Sequence, residues 1–266
     1  VPLLLSLLPP HDTYVEVFGG AGSLLFSKPA AAVEVYNDLD SALVTFFRVL
    51  RNPRQAARLR TLLDLTPYSR EELAACRAWD TATSPTERAR RWFICLQQSF
   101  AGRVDAGAGW RFTKLPSHNP AQSYRGSIAR LPAFTARLAH VLVEHQDFAR
   151  VLRLYDTPAT LFYCDPPYLP ETRASHGYPC DMTLEDHTRL LDLVRGLRGM
   201  VMLSGYRSAL YDGALAGWHR VDKRTLNMAA NTRRDARMEC IWLSPNATAH
   251  QPQLPFGDDQ EAGESA

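Results

Sequence analysis

The feature that most constrains this chain is a short apolar run, Thr160-Leu161-Phe162-Tyr163-Cys164, which stops at Asp165-Pro166-Pro167-Tyr168. A bulky, uncharged run of this length reads as a buried strand. Consecutive prolines cannot continue it, because each lacks a ladder N–H and holds φ near −65°. The strand therefore ends on a stiff turn that carries a carboxylate and an aromatic ring. That edge is either a structural turn or a rigid, polar, stackable pocket.

The rest of the pattern is α/β. Residues 13–18 read as a strand running into Gly19-Gly20-Ala21-Gly22, with helical sequence over 23–28. Residues 33–36 read as a second strand ending at Asn37-Asp38, and a helix begins near Asp40. A βαβα opening predicts a parallel sheet with helices on its faces. Strands are also expected over 140–145, 160–164 and 200–204, with a pair over 221–226 and 238–243 joined by a basic loop. Thr183-Leu184-Glu185-Asp186 is a capping-box variant opening a helix with Leu190, Leu191, Val194 and Leu197 on one face.

Residues 51–128 differ in texture. Pro53 suits a first helical position. Ser69-Arg70-Glu71-Glu72 and Ser84-Pro85-Thr86-Glu87 are capping boxes, the second opening a helix through about Gln98. Residues 102–124 are loop-rich. The expected organisation is a discontinuous domain over 1–50 and 129–247, a mostly helical insertion over 51–128, and a disordered acidic tail over 248–266, with everything past Pro245 irregular.

A length of 266 residues suits one large domain or one with an insertion. No run of about 18 apolar residues is present, so no membrane span is expected. The apolar start lacks a basic n-region, so a cytoplasmic location is expected. The five cysteines show no C-x-x-C spacing, which predicts buried, reduced thiols and no zinc. Net charge is +2, but four of the 28 acids and none of the 30 basic residues lie beyond Pro245, which leaves a body at +6. That balance is compatible with an acidic polymer as partner.

Phe18-Gly19-Gly20-Ala21-Gly22 lets a ligand approach the backbone at a strand end, or simply makes a tight strand-to-helix turn. Asp38, ending the next strand, can accept from ribose hydroxyls or can serve as a helix N-terminal carboxylate. Asp147 can accept from an adenine amino group and Phe148 can cover a ring, although Asp is common in loops and Phe in cores.

Taken in order, these motifs resemble the adenine-specific DNA methyltransferases of the Dam-like alpha group, in particular its phage and prophage branch. The resemblance covers residues 3 to about 247. Phe18-Gly19-Gly20-Ala21-Gly22 is similar to the family's cofactor motif, Asn37-Asp38 to its ribose position, and Asp165-Pro166-Pro167-Tyr168 to its catalytic tetrapeptide. Ser99-Phe100-Ala101-Gly102-Arg103 resembles its Ser-Phe-Asn-Gly segment, with Ala101 in place of Asn. The run 239–246 is similar to its closing strand. The resemblance implies a Rossmann-like seven-stranded sheet with an antiparallel last strand and an inserted target-recognition domain. It implies S-adenosylmethionine as cofactor and a flipped adenine in duplex DNA as substrate. The implied roles are catalytic for Asp165, Pro166, Pro167 and Tyr168, and cofactor-binding for Phe18, Gly19, Gly20, Gly22, Asp38, Asp147, Phe148 and Asp165.

DNA contacts are expected from Ser99, Arg103, Trp110, Arg111 and Arg125, and from Arg233 and Arg234 in the basic loop, which otherwise is a solvated hairpin loop. The family usually opens with an aromatic-Gly-Gly-Lys segment gripping the methionine part of the cofactor. This sequence starts downstream of it, so weaker cofactor binding is expected. Gln251-Pro252-Gln253-Leu254-Pro255-Phe256 resembles peptides that dock on sliding clamps, or is an unstructured tail. A monomer is expected. The competing readings are an inactive DNA-binding remnant and an amino-methyltransferase acting on cytosine or RNA.

Overall fold

The computed structural model describes residues 1–39, 41–77, 84–100, 109–114, 119–169, 182–225 and 237–250. Seven strands form one sheet. They are β1 (Thr13–Glu16), β2 (Val33–Asn37), β3 (Val141–Glu144), β4 (Thr160–Cys164), β5 (Met200–Tyr206), β6 (His219–Thr225) and β7 (Arg237–Leu243). Their order is β3-β2-β1-β4-β5-β7-β6. The first five run parallel, and β7 lies antiparallel between β5 and β6. This is the α/β sheet, with an antiparallel closing strand, that the sequence leads one to expect.

Period-2 alternation sorts the side chains onto two faces. Tyr14, Tyr36, Leu161, Tyr163, Met200, Met202, Ile241 and Leu243 point to one core. That core is closed by α2 (Ser41–Leu50), α3 (Pro53–Leu65), α4 (Arg70–Arg77), α5 (Pro85–Gln98) and α6 (Pro120–Leu138). Val15, Val17, Val35, Phe162, Cys164, Val201, Leu203, Cys240 and Trp242 point to the other. There α7 (Phe148–Leu154), α8 (Leu184–Arg195) and α9 (Ala209–Ala214) cover the sheet. All five residues of β4 are buried, as a central strand requires. The remaining helices are α1 (Pro2–Ser6) and α10 (Pro245–Ala249).

Several expectations need correction. Residues 23–28 form successive turns rather than a helix. The Leu25 N–H donates to the Glu16 carboxylate at 2.9 Å instead of to a carbonyl four residues back. Pro29 then stops the segment, since the residue before a proline avoids helical φ/ψ. Part of the stretch read as loop-rich is the start of α6, a 19-residue helix with Pro132 inside it. Asn119 caps it by accepting from Ala121 N, and Tyr124, Ile128 and Leu131 form its buried stripe. Past Pro245 the chain is not irregular at once: Ser244 caps α10, and the Asn246 amide donates to Arg198 O at 3.1 Å.

The capping boxes divide. Thr183 and Asp186 form the full reciprocal pair. Ser84 accepts from Glu87 N, but the Glu87 carboxylate goes to Arg90 and Arg91 at 2.7 and 3.1 Å. Ser69 accepts from Glu71 N and Glu72 N at 3.2 and 3.4 Å, while Glu72 reaches Arg90. Nearby arginines compete for the glutamates more strongly than a backbone N–H does.

Cys76, Cys95, Cys164 and Cys240 are buried free thiols; Cys180 lies outside the described residues. Among the described residues no helix is long and apolar enough to cross a membrane.

Candidate active site

The site follows from the strand order. The chain leaves β1 toward β2 on one side and leaves β4 toward β5 on the other. The two strands are neighbours, so their C-terminal turns separate and open a crevice between them. Val17 N donates to Tyr163 O at 3.0 Å, and directly beyond this rung lie the glycine turn and the Asp165 turn. The tetrapeptide and the glycine motif, about 145 positions apart in the chain, thus emerge side by side.

The glycine turn is held from below. Tyr36 donates its hydroxyl to Gly20 O at 2.5 Å, and Gly19 N donates to Asn37 O at 2.8 Å. A Cβ at Gly19 would run into the Tyr36 ring. Gly20 and Gly22 take φ of +50° and +64°, left-handed values that favour glycine. A Cβ at Gly20 would meet nothing within 4 Å. The backbone there faces open space, which is what close approach of a ligand needs. Asp38, at the end of β2, accepts from Gly20 N at 2.6 Å. Its carboxylate stands over the turn, and a carboxylate can accept several hydrogen bonds.

Asn37 does more than its neighbour's motif suggests. Its amide donates to Val17 O and Gln146 O at 2.9 and 3.1 Å, and its oxygen accepts from Gln146 N at 2.9 Å. One buried side chain thereby ties together the ends of β1, β2 and β3. The structure places Asp147 as the N-cap of α7, accepting from Ala149 N at 3.0 Å, with its other oxygen 2.7 Å from Arg189. Phe148 is buried and carries the Arg189 guanidinium 4.4 Å above its ring, with Phe18 at 5.7 Å. The Phe148 ring thus packs against both Phe18 and Arg189.

Asp165 is exposed to the cleft while protein crowds its carboxyl from behind. Burial pushes it up to about 6, and Glu239 adds to the rise; the nearby Tyr168 and Tyr163 hydroxyls oppose it. A carboxyl on the floor of an open cleft fits both observations. Pro166 is buried and Pro167 partly so. The Tyr168 hydroxyl lies 3.4 Å from Glu239, and its ring meets Tyr206 edge-on at 4.6 Å. Behind Asp165, Glu16 is fully enclosed and pushed up to about 8 by burial, against hydrogen bonds from Tyr14 and Leu25 N.

The expected DNA contacts scatter. Ser99 is fully buried and accepts from Arg77 at 3.3 Å. Trp110 pairs with Ser99 across an isolated bridge, lies under Arg70 at 4.9 Å and stacks on exposed Phe112. Arg111 accepts at its carbonyl from Tyr68, and its Nε is buried with no partner among the described residues. Arg125 bonds Asp64 O at 2.7 Å and reaches the Asp64 carboxylate at 3.5 Å, joining α6 to α3. Arg103, Arg233 and Arg234 lie outside the described residues.

A crevice at the sheet's switch point, floored by a carboxylate–proline–proline–tyrosine turn and walled by a glycine turn, is the geometry on which the sequence comparison bears. The family model for D12 class N6 adenine-specific DNA methyltransferase matches residues 1–225. The chain belongs to this family. The D12 class acts on adenine in DNA with S-adenosylmethionine as methyl donor, so this chain is a DNA methyltransferase with that cofactor. No curated relative matches it. For a D12-class enzyme the exposed backbone at Gly20 and the Asp38 carboxylate above it fit an adenosyl group with ribose hydroxyls to satisfy. Sequence reasoning missed Asn37 as a staple, Arg189, Tyr206 and Glu239. Only strand pairing brings these to the site, and no local spacing signals it.

Proposed function

We propose that the chain methylates the exocyclic amino group of an adenine flipped out of duplex DNA, as a Dam-like enzyme of the phage and prophage branch. The observation that carries this reading is the adjacency of the β1 and β4 termini, which sets the Asp165 turn against the glycine turn. When bound, S-adenosylmethionine would supply an electrophilic methyl group: the amino nitrogen's lone pair would form the N–C bond as the methyl's bond to sulfur breaks, leaving S-adenosylhomocysteine, and the nitrogen would then lose a proton to solvent. Phe18, Gly19, Gly20, Gly22, Asp38, Asp147, Phe148 and Asp165 surround the donor's place in this reading, Asp147 and Phe148 acting through Arg189 and Phe18.

The chain's own task is the nucleophile. The lone pair of an adenine amino group is delocalised into the ring. Asp165 and the Pro166 carbonyl accept its two hydrogens and favour a pyramidal nitrogen. Pro166 and Pro167 hold those acceptors in place beforehand, so little reorganisation is needed at reaction. Tyr168 stacks on the base, which must leave the duplex to be reached.

Residues 51–128 form the target-recognition region in this reading, with DNA contacts from its Ser99, Arg103, Trp110, Arg111 and Arg125 and, outside it, from Arg233 and Arg234. The protein acts as a cytoplasmic monomer, and Gln251 to Phe256 contact a sliding clamp. Incubation with labelled S-adenosylmethionine and duplex DNA, followed by nucleoside analysis, is expected to yield N6-methyladenine. Label in cytosine, or DNA binding without label, would refute the reading.

Asp165 must be ionised to accept. Its protonated form prevails below its raised value of about 6, not below the ordinary 3.8. The profile of kcat/KM against pH is therefore expected to fall by about ten-fold per unit below pH 6 and to flatten above it. An acid limb near pH 4, measured on one DNA substrate at constant ionic strength, would show that the Asp165 carboxyl is not raised; a profile with no acid limb would remove Asp165 from this role.

A further inference from the structure

We propose that Glu239 is a positioning residue that anchors the Tyr168 hydroxyl and so sets the angle at which that ring meets the base. The inference rests on the proposed role of Tyr168. Glu239 lies on β7 directly opposite Tyr206 of β5 and Lys223 of β6. Its two oxygens have different neighbours. Oε1 stands 3.4 Å from the Tyr168 hydroxyl, and Oε2 stands 3.4 Å from Lys223 Nζ. Tyr206, one rung across, meets the Tyr168 ring edge-on at 63°.

A tyrosine side chain has two soft torsions. The edge contact with Tyr206 restrains the ring plane but leaves the ring free to slide along the Tyr206 edge. A bond at the hydroxyl removes that freedom, because it fixes the far end of the ring. The 3.4 Å separation is long for O–H···O, whose usual range is about 2.5–3.0 Å. Catalytic hydrogen bonds in ligand-free enzymes are commonly loose and tighten in the complex.

The acceptor has a cation behind it, Lys223. Asp165 also lies near the phenol, and Tyr168 has only one hydroxyl proton to give. Glu239 repels Asp165 and contributes to its raised proton affinity. Lys223 offsets part of that repulsion, so Glu239 can remain an acceptor beside a second acid. Among the described residues, the charged and titratable groups around this point include Asp165, Tyr163, Tyr168, Tyr206 and Lys223, drawn from the β4 end, β5 and β6.

The test is a double-mutant cycle on the full chain with duplex DNA. Glu239→Ala is expected to lower kcat on the order of ten-fold with KM for S-adenosylmethionine within about two-fold, since misplacing a positioned group costs turnover before binding. Glu239→Gln keeps an acceptor oxygen and is expected to retain turnover within about three-fold of the parent. Tyr168→Phe is expected to match Glu239→Ala, and the double variant to be no slower than the slower single one. Multiplying effects in the double variant, or unchanged kcat in Glu239→Ala, would overturn the proposal. A Gln variant as slow as the Ala variant would also overturn it, because charge rather than an acceptor would then matter. Thermal midpoints accompany each variant; if Glu239→Ala does not fold, Glu239→Gln and Tyr168→Phe decide. Unvaried protein in the same assay tests adenine methylation itself, so its failure is distinct from failure of the Glu239 role.

Discussion

Asp165→Ala is expected to reduce methyl transfer to DNA by about a thousand-fold or more, the scale seen when one preorganised electrostatic group is lost from an active site. The amino nitrogen would keep its lone pair in the ring, and the Pro166 carbonyl alone would have to orient it. The fold is expected to survive. Asp165 is exposed to the cleft, so truncation opens no cavity, and the register of β4 with β1 and β5 depends on residues 160–164. The thermal midpoint is expected to stay the same or rise, because a carboxyl crowded by protein and repelled by Glu239 is lost. Asp165→Asn retains one acceptor oxygen but introduces an NH₂ donor, and should fall between parent and alanine variant. Initial rates with labelled donor at saturating DNA give the answer; an alanine variant within ten-fold of the parent would sink the mechanism.

Glu34→Gln has the largest expected effect on stability, a loss of about 3–5 kcal/mol. Glu34 lies on β2 with almost no exposed surface. Its Oε1 faces Lys28 Nζ at 2.6 Å, Arg137 Nη2 at 2.7 Å and Ala31 N at 3.1 Å. The Lys28 side chain is 1% exposed and Arg137 21%. Burial already lowers the Lys28 pKa, and Glu34 is the main group that opposes this. Without that anion a buried ammonium remains over the Tyr14 ring, 4.4 Å from its centroid. The pair also joins the C-terminal turn of α6 to the sheet, so its loss loosens the helix leading into β3. Urea unfolding is the measurement: the midpoint should fall with an unchanged slope. Adding Lys28→Met should recover most of the loss, since Arg137 can turn to solvent. A midpoint unaffected by Glu34→Gln would show that the charges are not coupled.

Much of this could be read from the residues. Asn52-Pro53, Ser84-Pro85 and Thr183 to Asp186 are local capping signals, and helices start at each. The strand periodicities of β1, β2, β4 and β5 are short and apolar, and the sheet contains all four. The helix α6 was harder to see because Pro132 breaks its pattern, although Asn119-Pro120 is a cap followed by an N1 proline. The turns over 23–28 depended on a partner nine residues back, Glu16, which no helical periodicity encodes.

The sequence by itself determined that Asp165-Pro166-Pro167-Tyr168 ends a strand, that Gly19 to Gly22 turn, and that an acid follows the second strand. These are short-range facts: proline geometry, glycine φ and apolar alternation act within a few residues. The tertiary structure alone decided that the two turns share one crevice, that Asn37 staples three strand ends, and that Glu239 reaches Tyr168. The reason is physical. Strand order is set by which apolar faces and edges pair across the sheet, and β1 lies beside β4 and β5 beside β7 only once both cores have closed.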